Sequence, residues 1–401
     1  MRTQVAERFR QTAQGIEAEG IVRSCVHCGF CNATCPTYRL LGDERDGPRG
    51  RIYLIKEFLE GGEVSERTRL HLDRCLSCRS CETTCPSGVR YGRLVDIARG
   101  MLAEEIERPV FDRWLRRLLR FWLPDRRRFG PVWRLLQAAR PVLPAKLRRR
   151  IFPSSPAKPW PEPRHGRRML VLDGCVQPLL APSIDAAAAR LLDRLGISLV
   201  RAPGSGCCGA LSYHLDAQDG GLAFMRRNID AWWPWIERGI EAIVVTASGC
   251  GVWIKEYGEL LRGDPEYAGK AARVSALARD PAEVLSGEDW RSLKPGGKRR
   301  IAFHSPCTLQ HGQRLSGVVE PLLRGVGFEL PPVRDPYLCC GAAGAYSILQ
   351  PELASRLLDD KLAALQAGQP DGIATANIGC LVHLASRAEV PVRHWLEWLD
   401  G

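Results

Sequence analysis

Eight of the sixteen cysteines in this chain fall into two runs with identical spacing. Each run reads C-x2-C-x2-C-x3-C-P, and the runs begin at Cys25 and Cys75. Three thiolates two residues apart can hold three irons of a cubane, while the fourth, followed by proline, turns away to ligate the other cluster. The spacing therefore predicts two 4Fe–4S clusters with exchanged fourth ligands. The predicted sets are Cys25, Cys28, Cys31 and Cys85 for the first cluster and Cys75, Cys78, Cys81 and Cys35 for the second.

Four-cysteine zinc sites also use pairs of cysteines that are two residues apart. Zinc requires neither a third cysteine at the same spacing nor a fourth cysteine exchanged between sites. The two runs therefore favour iron–sulfur clusters. The alternative is a zinc-dependent scaffold that has no redox task.

The remaining eight cysteines form an internal duplication. Each copy contains an isolated cysteine, an adjacent pair followed by glycine, and a final isolated cysteine. The copies are offset by 132 residues at the first three positions and by 130 at the last. The cysteines are Cys175, Cys207, Cys208 and Cys250 in the first copy and Cys307, Cys339, Cys340 and Cys380 in the second. Each copy has enough thiols for a further iron–sulfur cluster, whereas the alternative is that several are small buried hydrophobes.

The loop before the first cysteine pair also matches a dinucleotide-binding pattern. Gly204, Gly206 and Gly209 give G-x-G-x-x-G, and Asp230 lies at the distance expected of a ribose-binding acid. The second copy lacks the first two glycines but keeps both cysteines. We therefore interpret this loop by its thiols and not as a nucleotide site.

The elements that must position these cysteines differ between the two parts of the chain. Pro48 suits the first turn of a helix whose apolar stripe ends at Gly61, and residues 94–102 also keep helical spacing. Each copy of the duplication instead reads strand, helix, strand, Cys-Cys-Gly turn, helix and strand, which indicates α/β units around a parallel sheet. Because parallel strands end on one side, loops there can gather cysteines that are distant in sequence.

We predict an α+β multidomain protein in which a helical ferredoxin-like domain with two 4Fe–4S clusters precedes a duplicated α/β Cys-Cys-Gly domain. The predicted limits are 1–105 for the ferredoxin-like domain, 106–166 for basic amphipathic helices and a linker, 167–296 for the first repeat and 297–401 for the second. The middle segment is strongly basic, since residues 101–150 hold 14 Lys and Arg against 5 Asp and Glu.

Residues 111–122 combine an apolar face with an arginine-rich face. The apolar face comprises Phe111, Trp114, Leu115, Leu118 and Trp122, and the basic face comprises Arg113, Arg116, Arg117 and Arg120. This pattern is typical of a helix that lies in a membrane interface. The alternative is that the apolar face docks on a partner subunit while the arginines remain solvated. We expect no nucleic-acid partner, because no base-reading fold accompanies the charge.

The composition of the 401 residues is that of a globular protein, with 45% hydrophobic and 25% charged residues and a formal net charge of +12. No apolar run is long enough for an integral membrane helix, and the N-terminal residues lack the apolar segment of a secretory signal. Thiols in a reducing compartment remain reduced or bind metal. We therefore expect a cytoplasmic metalloprotein.

Two such cysteine runs followed by two Cys-Cys-Gly repeats resemble the iron–sulfur electron-transfer subunits related to heterodisulfide reductase and anaerobic glycerol-3-phosphate dehydrogenase. The resemblance is closer to the iron–sulfur subunits of glycolate oxidase (glycolate dehydrogenase), and it covers nearly the whole chain except the basic middle. The segments that carry it are 25–38, 46–52, 305–313, 346–353 and 376–380.

The resemblance implies a complex with separate flavin-containing subunits that oxidise glycolate to glyoxylate. The iron–sulfur subunit would pass the electrons to a quinone or another membrane acceptor, at the cytoplasmic face of the inner membrane. We expect no catalytic residue in this chain and negligible turnover by the isolated subunit. Related D-lactate or glycerol-3-phosphate dehydrogenases, and a heterodisulfide-reductase-like enzyme that acts on a disulfide, are the alternatives.

The chain departs from the heterodisulfide-reductase-like pattern at one position in each repeat. In those proteins the final cysteine continues as C-x-x-C, which gives five thiols per repeat and a noncubane cluster. Here the fifth position is Trp253 in the first copy and His383 in the second. His383 is a candidate substitute ligand, although a cubane held by four cysteines is equally open. The missing cysteines argue against disulfide chemistry.

Overall fold

The structure is a computed structural model that describes residues 1–144, 148, 151–154, 156–293 and 299–401. The chain forms two compact units. The first unit contains Met1–Leu115 and Tyr337–Lys361, and the second contains Arg116–Pro336 and Leu362–Gly401. The boundary expected between residues 296 and 297 lies outside the described residues, and the predicted domain limits stay predictions.

The N-terminal part of the chain is helical. In chain order its α-helices are α1 (Glu7–Arg10), α2 (Ala13–Ser24), α3 (Phe30–Ala33), α4 (Pro36–Leu41), α5 (Pro48–Leu59), α6 (Glu66–Asp73), α7 (Ser80–Thr84), α8 (Tyr91–Glu105), α9 (Val110–Trp122) and α10 (Arg126–Ala139). Short 3-10 helices cover Glu44–Asp46 and Arg140–Val142. Helix α5 begins at Pro48, as its sequence predicts, and its buried face packs with those of α2 and α8 in one core. That core includes Val22, Ile55, Phe58, Leu94 and Ile97.

The two cysteine runs have the same local conformation at an offset of 50 residues. Each run enters a short helix, α3 or α7, through a residue in the left-handed region, which is Gly29 (φ 85°) in the first run and Arg79 (φ 59°) in the second. The hydroxyls of Thr34 and Thr84, also 50 residues apart, lie 3.1 Å from each other. The two runs therefore lie against each other, and equivalent residues of the two runs meet at this point.

A later segment of the chain belongs to the same unit. Tyr346 donates a hydrogen bond from its hydroxyl to the carbonyl oxygen of Arg74 (3.1 Å), and Arg356 donates to that of Leu40 (3.0 Å). The first unit is therefore completed by residues that the sequence assigns to the second repeat.

The remaining elements alternate between helices and strands. The strands are β1 (Arg167–Val171), β2 (Ile197–Arg201), β3 (Ile243–Val244), β4 (Ala278–Arg279), β5 (Ile301–His304), β6 (Gly372–Thr375) and β7 (Val392–His394). The helices are α11 (Gln177–Leu180), α12 (Ser183–Arg194), α13 (Ala210–His214), α14 (Gln218–Glu237), α15 (Ser248–Lys255), α16 (Tyr257–Leu260), α17 (Ala268–Leu277), α18 (Pro281–Ser286), α19 (Val319–Gly325), α20 (Tyr346–Leu349), α21 (Pro351–Gln366), α22 (Ile378–Ala385) and α23 (Trp395–Asp400). A 3-10 helix covers Trp290–Ser292 and a π-helix covers Thr308–Gly312.

The duplication extends to the sheet topology. The first sheet has the order β2-β1-β3-β4 and the second has the order β5-β6-β7, and every pairing is parallel. The counterpart of β2 is reduced to one parallel bridge between Arg300 and Glu329. Pro331 and Pro332 follow this bridge, and proline cannot donate a ladder hydrogen bond. One buried core, with Val171 and Phe303 among its members, joins residues of both sheets.

The basic middle segment contains two longer helices, α9 and α10. On α9 the side chains of Phe111 and Trp114 are 72% and 57% exposed, respectively. Arg116 is buried and pairs with Asp216 (3.4 Å), and Arg120 donates to the carbonyl oxygen of Leu215 (3.0 Å). The idea that all four arginines remain solvated is therefore wrong, because two of them satisfy acceptors of the second unit.

Across the described ranges, every helix is too short or too polar to traverse a lipid bilayer.

Candidate iron–sulfur sites

The first cysteine run borders a cavity of about 420 Å³. Its lining includes three cysteines of the first run, Cys25, Cys28 and Cys31, together with Cys85 from the end of the second. Burial and, after it, the neighbouring thiols of Cys25, Cys85 and Cys28 together raise the pKa of Cys31 to about 11. The four thiols are thus close enough to act on one another.

The second run borders a cavity of about 350 Å³ with the reciprocal composition. Its lining includes Cys75, Cys78, Cys81 and, from the end of the first run, Cys35. Burial raises the pKa of Cys81 well above its usual value, and the thiols of Cys78, Cys75 and Cys35 act in the same direction, as does Glu82. Cys81 also reaches the lining of the first cavity.

Two residues beside the second cavity were not predicted from the sequence as functional residues. The side chain of Arg51 is 1% exposed and lies in the lining of this cavity. Tyr91 is also buried and lines both cavities. Arg51 lies in the segment 46–52 that carries the family resemblance, whereas nothing in the sequence distinguishes Tyr91 from a core aromatic residue.

In the first cysteine-rich repeat, the four predicted cysteines form a continuous chain of thiols. Cys175 hydrogen-bonds with Cys207, Cys207 with Cys208, and Cys208 with Cys250. The contact with Cys207, together with burial, raises the pKa of Cys175 well above its usual value. The hydrogen bond with Cys175 lowers the pKa of Cys207. The hydrogen bond with Cys208, together with burial, outweighs this effect, and the pKa of Cys207 is raised to about 12.

The glycine of the Cys-Cys-Gly turn has a steric role in both repeats. Gly209 and Gly341 have φ angles of 94° and 90°. A Cβ atom on Gly209 would lie 2.5 Å from the carbonyl oxygen of Gly221, and one on Gly341 would lie 2.7 Å from that of Ala354. In both turns the glycine N–H donates to the sulfur of the first cysteine of the pair at 3.5 Å. Only glycine fits a turn that brings the backbone this close to a helix.

Two buried polar residues, also missed by the sequence reasoning, anchor the turn of the first repeat. Asn228 on α14 donates to the carbonyl oxygen of Cys207 (2.9 Å) and accepts from the N–H of Gly206 (2.9 Å). Tyr257 donates its hydroxyl hydrogen to the carbonyl oxygen of Cys208 (2.7 Å). The adjacent cysteines are therefore held by neutral hydrogen bonds to their backbone.

An aromatic cluster fills the fifth position of the first repeat. Trp253 is 2% exposed, and its ring centroid lies 4.9 Å from those of Tyr213 and His214. Trp253 is on the same helix as Cys250, and the other two residues follow the Cys-Cys-Gly turn. This packing holds the helix that carries Cys250 against the turn.

The cysteines of the second repeat are divided between the two units. Cys307 and Cys380 belong to the second unit, as does His383, and Cys339 and Cys340 belong to the first. Cys380 lies in the first turn of α22 and accepts a hydrogen bond from the side-chain amide of Asn377 (3.6 Å). His383 lies one helical turn further along the same helix.

The donor chemistry of the first unit fits the cofactor that the sequence predicts. Each cavity of the first unit offers at least four thiols, which are the ligands of 4Fe–4S clusters, and none of the described cysteines forms a disulfide. The chain of thiols in the first repeat fits a thiolate-bound metal centre for the same reason. Four thiolates this close together repel one another, and the positive charge of iron offsets that repulsion.

Comparisons with known proteins agree with this arrangement. The family model for a 4Fe–4S dicluster domain matches residues 21–89, and the model for a cysteine-rich domain matches residues 169–255 and 301–385. The glycolate oxidase iron–sulfur subunit of Escherichia coli is 54% identical over 401 residues, which cover 100% of this chain and 98% of that protein. This chain belongs to the family of glycolate oxidase iron–sulfur subunits. It therefore carries iron–sulfur clusters.

More distant proteins extend the similarity. A probable glycolate oxidase iron–sulfur subunit of Bacillus subtilis is 31% identical over 397 residues, covering 91% of this chain and 89% of that protein. Among solved structures, a hypothetical protein from Helicobacter pylori matches with a TM-score of 0.52 at 12% identity, over 97% of this chain and 72% of that one. The last similarity concerns the fold alone.

Proposed function

We propose that this chain is the electron-transfer subunit of a glycolate oxidase complex. Flavin-containing partner subunits oxidise glycolate to glyoxylate, and this subunit conducts the electrons to a quinone or another membrane acceptor. The observation that carries the proposal is the pair of cavities in the first unit, each lined by at least four thiols, in a chain that belongs to this family.

The proposal assigns the ligands of two 4Fe–4S clusters. Cys25, Cys28, Cys31 and Cys85 hold the first, and Cys75, Cys78, Cys81 and Cys35 hold the second. The linings of the two cavities and the mutual effects of the thiols support these sets. A bound 4Fe–4S cluster accepts and releases one electron. The polypeptide fixes the sulfur positions through the left-handed turns and keeps water away through the buried aliphatic residues around them.

The proposal also includes a third centre in the first repeat, held by Cys175, Cys207, Cys208 and Cys250. The thiol–thiol contacts and the anchored turn support it. Cys307, Cys339, Cys340, Cys380 and His383 are the candidates for a further centre in the second repeat. The proposal keeps the domain limits predicted from the sequence. In it, electrons pass from the ferredoxin-like domain into the duplicated domain.

Spectroscopy of the assembled complex tests the function. Under anaerobic conditions, glycolate should reduce the clusters and produce their paramagnetic resonance signals only when the flavin subunits are present. Glycolate oxidation by the isolated subunit would contradict this division of labour. Colourless protein that contains zinc and no inorganic sulfide would establish the scaffold instead.

Iron and sulfide analysis tests the third centre. The double variant Cys207→Ser, Cys208→Ser should contain less iron and sulfide than wild type while both signals of the ferredoxin-like domain persist. The single variant Ser205→Ala, which removes a nearby hydroxyl but no thiol, serves as the control and should retain the wild-type iron content. Equal iron in the double variant and wild type would exclude a third centre.

Helix α9 supports contact with the cytoplasmic face of the membrane. Its exposed aromatic side chains, Phe111 and Trp114, lie beside cationic Arg117, a combination suited to anionic lipid. In flotation assays with phosphatidylglycerol vesicles, the protein should float, and the double variant Phe111→Ser, Trp114→Ser should not. The matched control is Ile16→Ser, which removes an apolar side chain that is 58% exposed on another helix. Equal flotation of all variants, or none of wild type, would refute membrane contact.

A further inference from the structure

The surroundings of the two cavities differ in their buried charges. Beside the second cavity, Arg51 donates from Nε to the carbonyl oxygen of His71 (2.6 Å) and from both terminal nitrogens to the hydroxyl of Thr37 (3.2 Å). Its Nη2 also lies 3.4 Å from a carboxylate oxygen of Asp46. A guanidinium this deeply buried keeps its charge in a medium that screens it poorly.

Asp46 does not neutralise this charge alone. The same carboxylate accepts a hydrogen bond from Arg74 (2.9 Å) and contacts Nδ1 of His71 (3.0 Å). One carboxylate therefore faces two guanidinium groups, which leaves the network with net positive charge beside Cys35 and Cys75. Glu82 places a negative charge near Cys81, and this charge opposes the effect of the positive network on the thiols.

The corresponding cation of the first cavity, Arg49, exerts a weaker electric field on its thiols. Arg49 lines that cavity, but its side chain is 35% exposed and it pairs with Glu44 at 2.5 Å. Solvent and a dedicated carboxylate both weaken its field at the thiols. Arg51 is not among the residues that line this cavity.

A buried hydroxyl adds to the difference. The Tyr91 side chain is buried, and its hydroxyl has no hydrogen-bond partner among the described residues. Tyr91 lines the second cavity together with Cys75, and burial followed by the charge of the Cys75 thiol raises the pKa of the Tyr91 hydroxyl. A buried hydroxyl without a partner costs stability, whereas a thiolate of a bound cluster would accept its hydrogen bond.

We propose that Arg51 and Tyr91 are positioning residues that stabilise the reduced state of the cluster ligated by Cys75, Cys78, Cys81 and Cys35. One electron adds one negative charge to that cluster and its thiolates, and no proton moves. Arg51 remains a cation, and Tyr91 keeps its proton and donates it as a hydrogen bond to Cys75. Both interactions raise the reduction potential of this centre. The inference rests on the proposed ligand sets.

An anaerobic redox titration of the holoprotein, followed by paramagnetic resonance, tests the inference. The variant Cys35→Ser identifies the signal of this centre, because it removes one of the proposed ligands. In Tyr91→Phe, the midpoint potential of that centre should fall, and the midpoint potential of the other centre should not change. We expect a change of about tenfold in the reduction equilibrium, or about 59 mV for one electron. The matched control is Tyr53→Phe on α5, whose side chain is 46% exposed and which should titrate like wild type.

Charge is tested separately at Arg51. The single variant Arg51→Gln removes the guanidinium and leaves Asp46 paired with Arg74, whereas Arg51→Lys keeps a cation. The potential of the same centre should fall in Arg51→Gln and be largely retained in Arg51→Lys. Unshifted potentials in Tyr91→Phe, or equal shifts in both centres, would overturn the inference while leaving the proposed function intact. A wild-type protein without two reducible centres would instead overturn the proposed function.

Discussion

The N-terminal cysteine runs and the first cysteine-rich repeat collect four thiols in different ways. Each run places three cysteines within seven residues and uses left-handed turns at Gly29 and Arg79 to aim them. The repeat draws its thiols from two loops and from the first turn of α15, which follow the ends of parallel strands between Cys175 and Cys250. The first arrangement is largely local, whereas the second exists only once the sheet has formed.

The two regions also differ in how they support their sulfurs. Beside the second cavity of the first unit lies an ionic network of buried Arg51 and Asp46 with partly exposed Arg74. In the repeat, neutral Asn228 and Tyr257 hold the backbone of the cysteine pair. Charge beside the sulfurs influences electron affinity, whereas backbone hydrogen bonds influence geometry. We infer that the first region is built to adjust potential and the second to fix position.

The largest expected effect concerns the exchanged ligands. Cys85→Ser should abolish the same paramagnetic centre as Cys25→Ser, and Cys35→Ser should abolish the same centre as Cys75→Ser. The physical reason is that three cysteines of one run and the last cysteine of the other run line each cavity. If Cys85→Ser removed the signal that Cys75→Ser removes, each run would ligate its own cluster and the proposed sets would be wrong.

The aromatic cluster of the repeat gives the next effect. Trp253→Ala should lower the free energy of unfolding by about 3–5 kcal/mol, because it empties a packed site between α15 and the Cys-Cys-Gly turn. Denaturant unfolding of the variant measures the loss. Trp114→Ala is the control: its side chain is 57% exposed, so a change within about 0.5 kcal/mol is expected. Comparable losses in both variants would show that burial at Trp253 is not what stabilises the repeat.

A buried acid of the first repeat should make stability depend on pH. Burial raises the pKa of Asp185 to about 6, although a hydrogen bond from Thr246 (2.6 Å) lowers it. The folded protein then binds a proton that the unfolded chain releases at its ordinary pKa of about 3.9. The contribution of protonated Asp185 is therefore complete below about pH 4 and is lost as the pH rises through 6, at a cost of up to about 3 kcal/mol.

Asp185→Asn should remove this dependence, so its free energy of unfolding relative to wild type should rise between pH 5 and pH 7. The control is Asp193→Asn on the same helix. Burial acts to raise the pKa of Asp193, but hydrogen bonds from Arg164 and His165 outweigh it, and the pKa is lowered. That variant should instead lose stability relative to wild type as the pH rises to the ordinary pKa of about 3.9, and its difference from wild type should stay level between pH 5 and pH 7. Parallel pH profiles for the two variants would contradict the assignment.

The smallest effect compares two costs of replacing a glycine near the Cys-Cys-Gly turn: the strain of a left-handed backbone and a clash of the new Cβ with a neighbouring backbone. Gly204→Ala should cost about 1–2 kcal/mol, since Gly204 has φ 91° but its nearest atom to a new Cβ would be 3.7 Å away. Gly209→Ala should cost more, because its Cβ would also meet a backbone oxygen at 2.5 Å. Thermal unfolding measures both. Equal losses would mean that close approach to α14 does not explain the Cys-Cys-Gly glycine.

Particular residues show how far the sequence could lead. The start of α5 at Pro48, the helical character of the N-terminal part and all but one of the predicted strands follow from turn chemistry and periodicity, and the structure confirms them. The segment around Glu329 forms a single bridge where a strand was expected, because two prolines follow it. The sequence also assigned Cys339 and Cys340 to the second repeat without indicating that they belong to the first compact unit.

By itself, the sequence determined which atoms are available as ligands and how neighbouring ligands are spaced. Those properties are local, because a few residues and their turns are enough to define them. Only the tertiary structure decided that Tyr91 lines the same cavity as Cys75, that Arg51 shares Asp46 with Arg74, and that Arg116 is buried. These properties depend on burial, and burial is set by how segments far apart in the chain pack together.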